Sequence, residues 1–206
     1  MAATSNSLSP ITLVLASSSP RRRELIATLG LPVHIKPSDA DESTPPDWTP
    51  ALVVEQLSLR KAQAVAAALE PAEGKRRIVI GSDTIVALAG EIMGKPKDAE
   101  DAKRMLRLLS GRTHEVYTGV TCMEAGSGGR TATSHRVTRV QFRSLTEAQI
   151  DRYVATGEPM DKAGAYGIQD KGALLVEAIE GCFFTVVGLP LSLLAQMLEP
   201  FGVELP

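Results

Sequence analysis

Short apolar runs alternate along this chain with longer stretches of helical period, the arrangement expected of strands joined by helices. Leu13–Ala16 is an apolar run short enough for a buried strand, and it breaks at Ser17, Ser18 and Ser19 before Pro20. Ser19 is placed to cap a helix opened by Pro20, with Ile26 and Leu29 as its apolar pair and Gly30 as its stop. Pro32–Pro37 predicts a short strand, and Ser38–Pro50, acidic and proline-rich without a period, a loop. Thr49 and Pro50 open a second helix that Leu52, Val53, Leu57, Val65 and Leu69 carry to residue 69. A turn-rich link, Pro71–Arg77, leads into Arg77–Leu88, a β-branched run broken at its centre by Gly81-Ser82-Asp83-Thr84.

After Ala89-Gly90-Glu91 a return strand ends at Gly94-Lys95-Pro96. Asp98 caps the next helix, with Met105, Leu106, Leu108 and Leu109 expected inward and Ser110-Gly111 as the stop. Thr113–Glu124 and Thr131–Arg143 alternate cleanly around the glycines at Gly126–Gly129, which predicts a hairpin. Thr146 and Gln149 form a capping box, and Asp161–Gln169 is a glycine-spaced loop. Leu174–Ile179 and Cys182–Val187 are expected as strands and Leu189–Leu198 as a closing helix. Strands alternating with helices, plus a hairpin, predict an α/β chain of mixed α+β character with a mixed, twisted sheet.

At 206 residues there is material for one large domain or two small lobes. The first ten residues, MAATSNSLSP, lack the features of a signal or transit peptide and are expected to be a disordered tail, leaving residues 11–206 as the folded part of a cytoplasmic protein. No apolar run approaches a membrane span. The net charge of −2 disfavours a stable nucleic-acid partner, so any phosphate recognition has to come from a local basic pocket. Cys122 and Cys182 show no metal-ligand spacing and are read as buried thiols, a disulfide remaining open.

A strand that ends in small hydroxyl residues at a helix N-terminus, with Arg21 and Arg22 in the first turn, suits an anion. Free N–H groups, the helix dipole and bidentate guanidinium contacts all favour negative charge there. The same residues are also consistent with a solvated basic helix start. Familiar nucleotide motifs are missing: there is no GxxxxGK[ST], and the Gly126–Gly129 cluster lies in a hairpin turn and not between strand and helix. His114-Glu115 begins like a zinc-protease helix but lacks the second histidine, and is read as structural. Asp83 stands out, because a charge inside an apolar strand must be compensated by a cation, a metal or hydrogen bonds. It is either a turn residue that splits two strands, or a general base or ligand for an oxygen-loving ion such as Mg²⁺ or Mn²⁺. Glu42 in the acidic loop is a second carboxylate, taken alone a solvated loop residue, and Lys61, equally an ordinary exposed helix lysine, and Lys95, fixed between glycine and proline, join the basic set.

The segments SSSPRR, GSDT, GKP, SGRTHEVYTG and DKAGAYGIQ occur in this order, and in this the chain resembles the Maf family of nucleoside triphosphate pyrophosphatases from about Leu13 to Leu198. The resemblance implies a two-lobed fold with a central nucleotide-binding cleft, frequent homodimerisation, and cleavage of nucleotides to monophosphate and pyrophosphate with a divalent cation (Mg²⁺, Mn²⁺ or Co²⁺). It implies that Asp83 accepts a proton, that Arg21, Thr84 and Gln169 bear on substrate choice, and that Glu42, Lys61 and Lys95 line the same site. The GAYGIQ form is similar to the branch acting on dTTP and UTP, whereas LSLRKA departs from the family where an acidic residue often precedes the lysine.

The expected site therefore comprises Asp83 as catalytic group, Asp83 with Glu42 as metal ligands, and Ser17, Arg21, Arg22, Lys61, Thr84, Lys95 and Gln169 toward a nucleoside triphosphate. Gln169 offers an acceptor and two donors, which suits the shared carbonyl–NH–carbonyl edge of uracil and thymine. Tyr166 is expected either to stack on a base or to sit in the core. The competing expectations are a 7-methyl-GTP pyrophosphatase and a non-enzymatic nucleotide-binding regulator of cell division.

Overall fold

A computed structural model describes residues 11–70, 76–126 and 128–205. The expected N-terminal tail, most of the Pro71–Arg77 link and Ser127 of the hairpin turn lie outside the described residues. In chain order the elements are β1 (Ile11–Leu15), α1 (Pro20–Ala27), β2 (Val33–Ile35), α2 (Pro50–Ala67), β3 (Arg76–Leu88), β4 (Glu91–Met93) and α3 (Ala99–Leu109). There follow β5 (Thr113–Glu124), β6 (Thr131–Phe142), α4 (Glu147–Val154), three short 3₁₀ turns, β7 (Val176–Glu180), α5 (Phe183–Val187) and α6 (Leu191–Leu198).

Seven strands form one mixed sheet in the order β2-β1-β3-β5-β6-β7, with β4 added on β3. The spine is β3, a single unbroken strand of 13 residues, so Asp83 splits nothing. On one edge it is antiparallel to β5 from Ile78 to Ala87. On the other edge it is parallel to β1 only as far as Leu15↔Ile80, and antiparallel to β4 only from Val86↔Met93. Residues 81–85 of β3 therefore have no ladder partner on that edge among the described residues. The chain leaving β1 turns away at this point, and Ser19 caps α1 by accepting from the Arg22 N–H, with Pro20 at the first helical position.

Successive residues of β3 point to opposite faces. Ile78, Ile80 and Val86 enter the larger core with Leu13, Leu15, Leu106, Leu109 and Phe142. Val79 meets Ala62 and Val65 of α2, and Ile85 meets Val53, Val54 and Leu57 of the same helix. Between those two clusters α2 lies directly on the sheet. A Cβ at Gly81 would overlap the Ser58 carbonyl oxygen, and one at Gly119 of β5 the Val54 carbonyl oxygen. Glycine at both positions is what allows this helix-to-sheet distance, and a Ser58–Thr121 hydroxyl bond of 2.9 Å joins helix and sheet there.

Two expectations are corrected. Leu108 is 40% exposed, because the buried stripe of α3 is Ala102, Met105, Leu106 and Leu109, at helical spacings that leave 108 outside. Cys182–Val187 does not form a strand: Phe183–Val187 is a short helix. Thr138 of β6 receives the Cys182 N–H at 2.9 Å and donates to the Cys182 carbonyl at 3.0 Å, so a side chain takes both groups that would have extended the ladder. Gly181 and Gly188, at φ +129° and +120°, bracket the helix.

His114 is structural, as expected. It is 1% exposed, packs edge-on against Phe142 and Tyr166, and its Nε2 lies 2.8 Å from the Tyr166 hydroxyl. Tyr166, 5% exposed, packs in the core and also borders the cleft at the unpaired edge of β3. Both cysteines are free; Cys122 is buried, which pushes its thiol up to about 12, whereas Cys182, expected to be buried, is only half-buried beside the start of α5.

Two outcomes are expected. Gly81→Ala should destabilise the fold by about 1–3 kcal/mol, lowering Tm by about 2–4 °C for each kcal/mol in a chain of this size; an unchanged Tm would show that α2 is not seated on β3. Burial lowers the His114 pKa from 6.5 to about 4. The unfolded chain then takes up a proton near pH 6.5 that the folded chain refuses until pH 4, so stability falls across that window, by up to about 3 kcal/mol. An imidazole NMR titration of the folded protein should show a midpoint near 4, and a midpoint near 6.5 would contradict this packing.

Candidate active site

The unpaired edge of β3 opens into a cleft of about 620 Å³. Its floor is set by the alternation of the strand, which sends Asp83 toward α2 and Thr84 toward α1. Asp83 is 8% exposed, and Lys61 of α2 compensates its charge with a 2.6 Å bond from Nζ to Oδ1. The same nitrogen lies 2.6 Å from Glu42 Oε1. Glu42 is held there from behind: Arg60 donates through Nη1 to the carbonyls of Asp41 at 3.3 Å and Ser43 at 2.6 Å, on either side of it. Arg60, which precedes Lys61 in LSLRKA, thus anchors the acidic loop. Desolvation, the largest influence on Glu42, would raise its pKa, but the hydrogen bond and charge of Lys61, with Lys95 and Arg22 beyond, hold it below the usual carboxylate range.

On the other face Arg22 reaches back from α1. Its Nη2 donates to Thr84 Oγ1 at 2.9 Å and its Nε to the Gly188 carbonyl at 2.8 Å. Desolvation lowers the Arg22 pKa, partly offset by Asp83. Arg21 stands at the lip, 3.5 Å from Asp161 across the cleft. Ser17, 6% exposed, lines the wall and accepts from the Ser19 N–H at 3.2 Å, which leaves its own hydrogen to donate. Lys95 is exposed on the turn after β4, and that turn is fixed by a 3.0 Å bond from the Gly164 N–H to the Gly94 carbonyl. Gln169 lines the cleft, half-buried, with no side-chain hydrogen bond among the described residues.

All nine residues singled out from the sequence thus border one cavity. Two further charged residues of that cavity, Asp161 and Lys162, carried no signal of their own in the sequence, although both stand in the DKAGAYGIQ segment. Lys162 donates to Asp161 at 2.7 Å and to the Glu158 carbonyl at 2.6 Å. With these the cleft carries five cations (Arg21, Arg22, Lys61, Lys95, Lys162) against three carboxylates (Glu42, Asp83, Asp161), two positive charges in excess on a chain of net −2. It is a local basic pocket on a slightly acidic chain.

The donor set also bears on a metal. Among the described residues no three of His, Cys, Asp and Glu gather in a ligand cluster. Glu42 and Asp83 each lie 2.6 Å from one nitrogen, so their two oxygens are at most twice that distance apart. Two hard carboxylates with no further protein ligand suit an ion that arrives with phosphates and keeps its waters, which is the habit of Mg²⁺ and not of a resident structural metal. Among the described residues no helix is long and apolar enough to cross a membrane.

A family model described as Maf-like protein matches residues 12–201. A dTTP/UTP pyrophosphatase of Moorella thermoacetica is 56% identical over 192 residues, which are 93% of this chain and 96% of that protein. Proteins of the same description from Pelotomaculum thermopropionicum and Acetivibrio thermocellus are 53% and 50% identical, each over more than nine tenths of both chains. The match spans β1 to the end of α6, and every element that borders the cleft falls inside it. On this likeness the chain belongs to the Maf-like family.

Proposed function

We propose that this chain is a nucleoside triphosphate pyrophosphatase that hydrolyses dTTP and UTP to the monophosphate and pyrophosphate. The observation that carries the proposal is the cleft itself, where five cations and three carboxylates, the strand carboxylate Asp83 among them, line one cavity in a chain of net charge −2. The relatives named as dTTP/UTP pyrophosphatases support the choice of nucleotides.

A triphosphate brings up to four negative charges. Arg21, Arg22, Lys95 and the Ser17 hydroxyl are the groups placed to receive them, and holding the tail fixed is the larger part of their work. Cations at the β- and γ-phosphates neutralise the pyrophosphate as it leaves. Asp83 Oδ1 is taken by Lys61, while Oδ2 has no protein partner among the described residues and is the site to accept a proton from the attacking water. A divalent cation (Mg²⁺, Mn²⁺ or Co²⁺) held by Asp83 and Glu42 would polarise the α-phosphate and make a bound water more acidic. The unengaged carboxamide of Gln169 in the cleft wall can pair with the carbonyl–NH–carbonyl edge that uracil and thymine share.

Asp83→Asn is expected to lower kcat by about 10²–10⁴-fold while nucleotide binding survives; near-normal turnover would remove Asp83 from the reaction. Arg21→Ala should raise KM or lower kcat for triphosphates, and an unchanged rate would make that arginine a surface group. The reading as a whole is tested by pyrophosphate release from dTTP, UTP, 7-methyl-GTP and the common nucleotides, with Mg²⁺, Mn²⁺, Co²⁺ or none. Release from dTTP and UTP first is the expected result, and binding without release from any nucleotide would sink it.

A further inference from the structure

Arg22 is held in the cleft by two hydrogen bonds, and what holds it extends into the core. A hydroxyl carries one hydrogen, so the direction of each bond behind Thr84 can be worked out. Thr118 of β5 is fully buried and gives its hydrogen to the Thr185 carbonyl at 2.7 Å. In its 2.9 Å contact with Thr84, Thr118 Oγ1 is then the acceptor and Thr84 the donor. The hydrogen of Thr84 is thereby committed inward, and a lone pair of the same oxygen receives Arg22 Nη2. The run Arg22 to Thr84 to Thr118 to the Thr185 carbonyl has a single polarity from end to end.

A second arm closes on the same guanidinium. The Gly188 carbonyl accepts from Arg22 Nε at 2.8 Å and from the buried Ser82 hydroxyl at 3.0 Å. Gly188 sits at φ +120°, and a Cβ there would press on both Arg22 Nε and Thr84 Oγ1, at 3.3 Å each. Both arms leave Arg22 Nη1 without a protein partner among the described residues. The register makes the arrangement possible, since Thr84 and Thr118 stand directly opposite each other on β3 and β5.

We propose that Thr118, which is not among the residues lining the cleft, is a positioning residue. Through the Thr84 hydroxyl it fixes the guanidinium plane of Arg22 so that Nη1 presents to the phosphate chain. Thr84 then influences substrate handling through Arg22 and not by giving a hydrogen bond of its own to the nucleotide. The proposal rests on the preceding reading for the identity of the ligand, but its central test needs no turnover.

Thr118→Val replaces the hydroxyl by a methyl of nearly the same volume. It should weaken binding of inorganic tripolyphosphate, measured by calorimetry, and raise KM for dTTP by about tenfold, with a smaller change in kcat. Thr118→Ser, which keeps the hydroxyl, should recover most of both losses. In an Arg22→Ala background Thr118→Val should add nothing. Equal losses with and without Arg22, or failure of the serine variant to recover, would reduce Thr118 to a core hydrogen bond and overturn the proposal. Should Thr118→Val fail to fold, Thr84→Val removes the middle of the same run and should show the same dependence on Arg22. A wild-type chain that binds tripolyphosphate but cleaves no nucleotide, with binding still lost in Thr118→Val, would sink the pyrophosphatase reading and leave this one standing. Nucleotide cleavage and tripolyphosphate binding unaffected by Thr118→Val would sink this one alone.

Discussion

A carboxylate placed inside the longest strand of a sheet has to be compensated, and the ion pair between Asp83 and Lys61 does this at 2.6 Å with both side chains nearly buried. Removing one partner of such a pair typically costs about 3–5 kcal/mol because the other is left uncompensated. The pair dictates where α2 must run, and α2 can run there only because Gly81 and Gly119 present no side chain to its backbone. Ser58 and Thr121 bond at 2.9 Å along the same contact. Packing of the helix and compensation of the carboxylate are thus one constraint seen from two sides.

The second consequence concerns the sheet. A strand with ladder partners on both edges along its whole length would have no room for a ligand beside its middle residues. Here pairing with β1 stops at Ile80 of β3 and pairing with β4 starts at Val86, and of the five residues between, Asp83, Thr84 and Ile85 line the cleft. Ligand sites in α/β sheets form outside the carboxyl ends of strands, where neighbouring connections diverge. The serines after β1 and the start of α1 fill that place, which is why a helix N-terminus and a strand carboxylate meet. Arginines in the first turn of α1 oppose the helix dipole; Arg22 is drawn back onto Thr84 and Gly188, and Arg21 outward to Asp161.

Several parts of this arrangement were legible because their physical cause is local. Ser19 with Pro20, Thr49 with Pro50 and the Thr146–Gln149 capping box each satisfy backbone groups within four residues, so a short window of sequence contains the whole cause. The ordered family segments contain seven of the nine candidate positions, with Glu42 and Lys61 outside them, and each of the nine borders the cleft. Where the cause lay elsewhere in the chain, reading failed. Phe183–Val187 has the composition of a strand, but Thr138, more than forty residues earlier, takes up both backbone groups of Cys182 and leaves no ladder to join. Leu108 is apolar yet faces outward, because the neighbours of α3 cover only one stripe. Asp161 and Lys162 look like ordinary loop charges until the fold sets one of them opposite Arg21.

The sequence by itself determined the succession of strands and helices except α5, the side-chain caps, and most of the chemical inventory of the cleft, because propensity, capping and alternation act over a few residues. Only the tertiary structure decided which groups meet. It turned Asp83 to Lys61 and its neighbour Thr84 to Arg22, it recruited Arg60 to hold Glu42 in place, and it ran a line of hydroxyls from Arg22 into the core. Those pairings depend on register between strands and on how closely a helix can approach a sheet. Both are set by contacts between residues far apart in the chain, and no local stretch of sequence contains them.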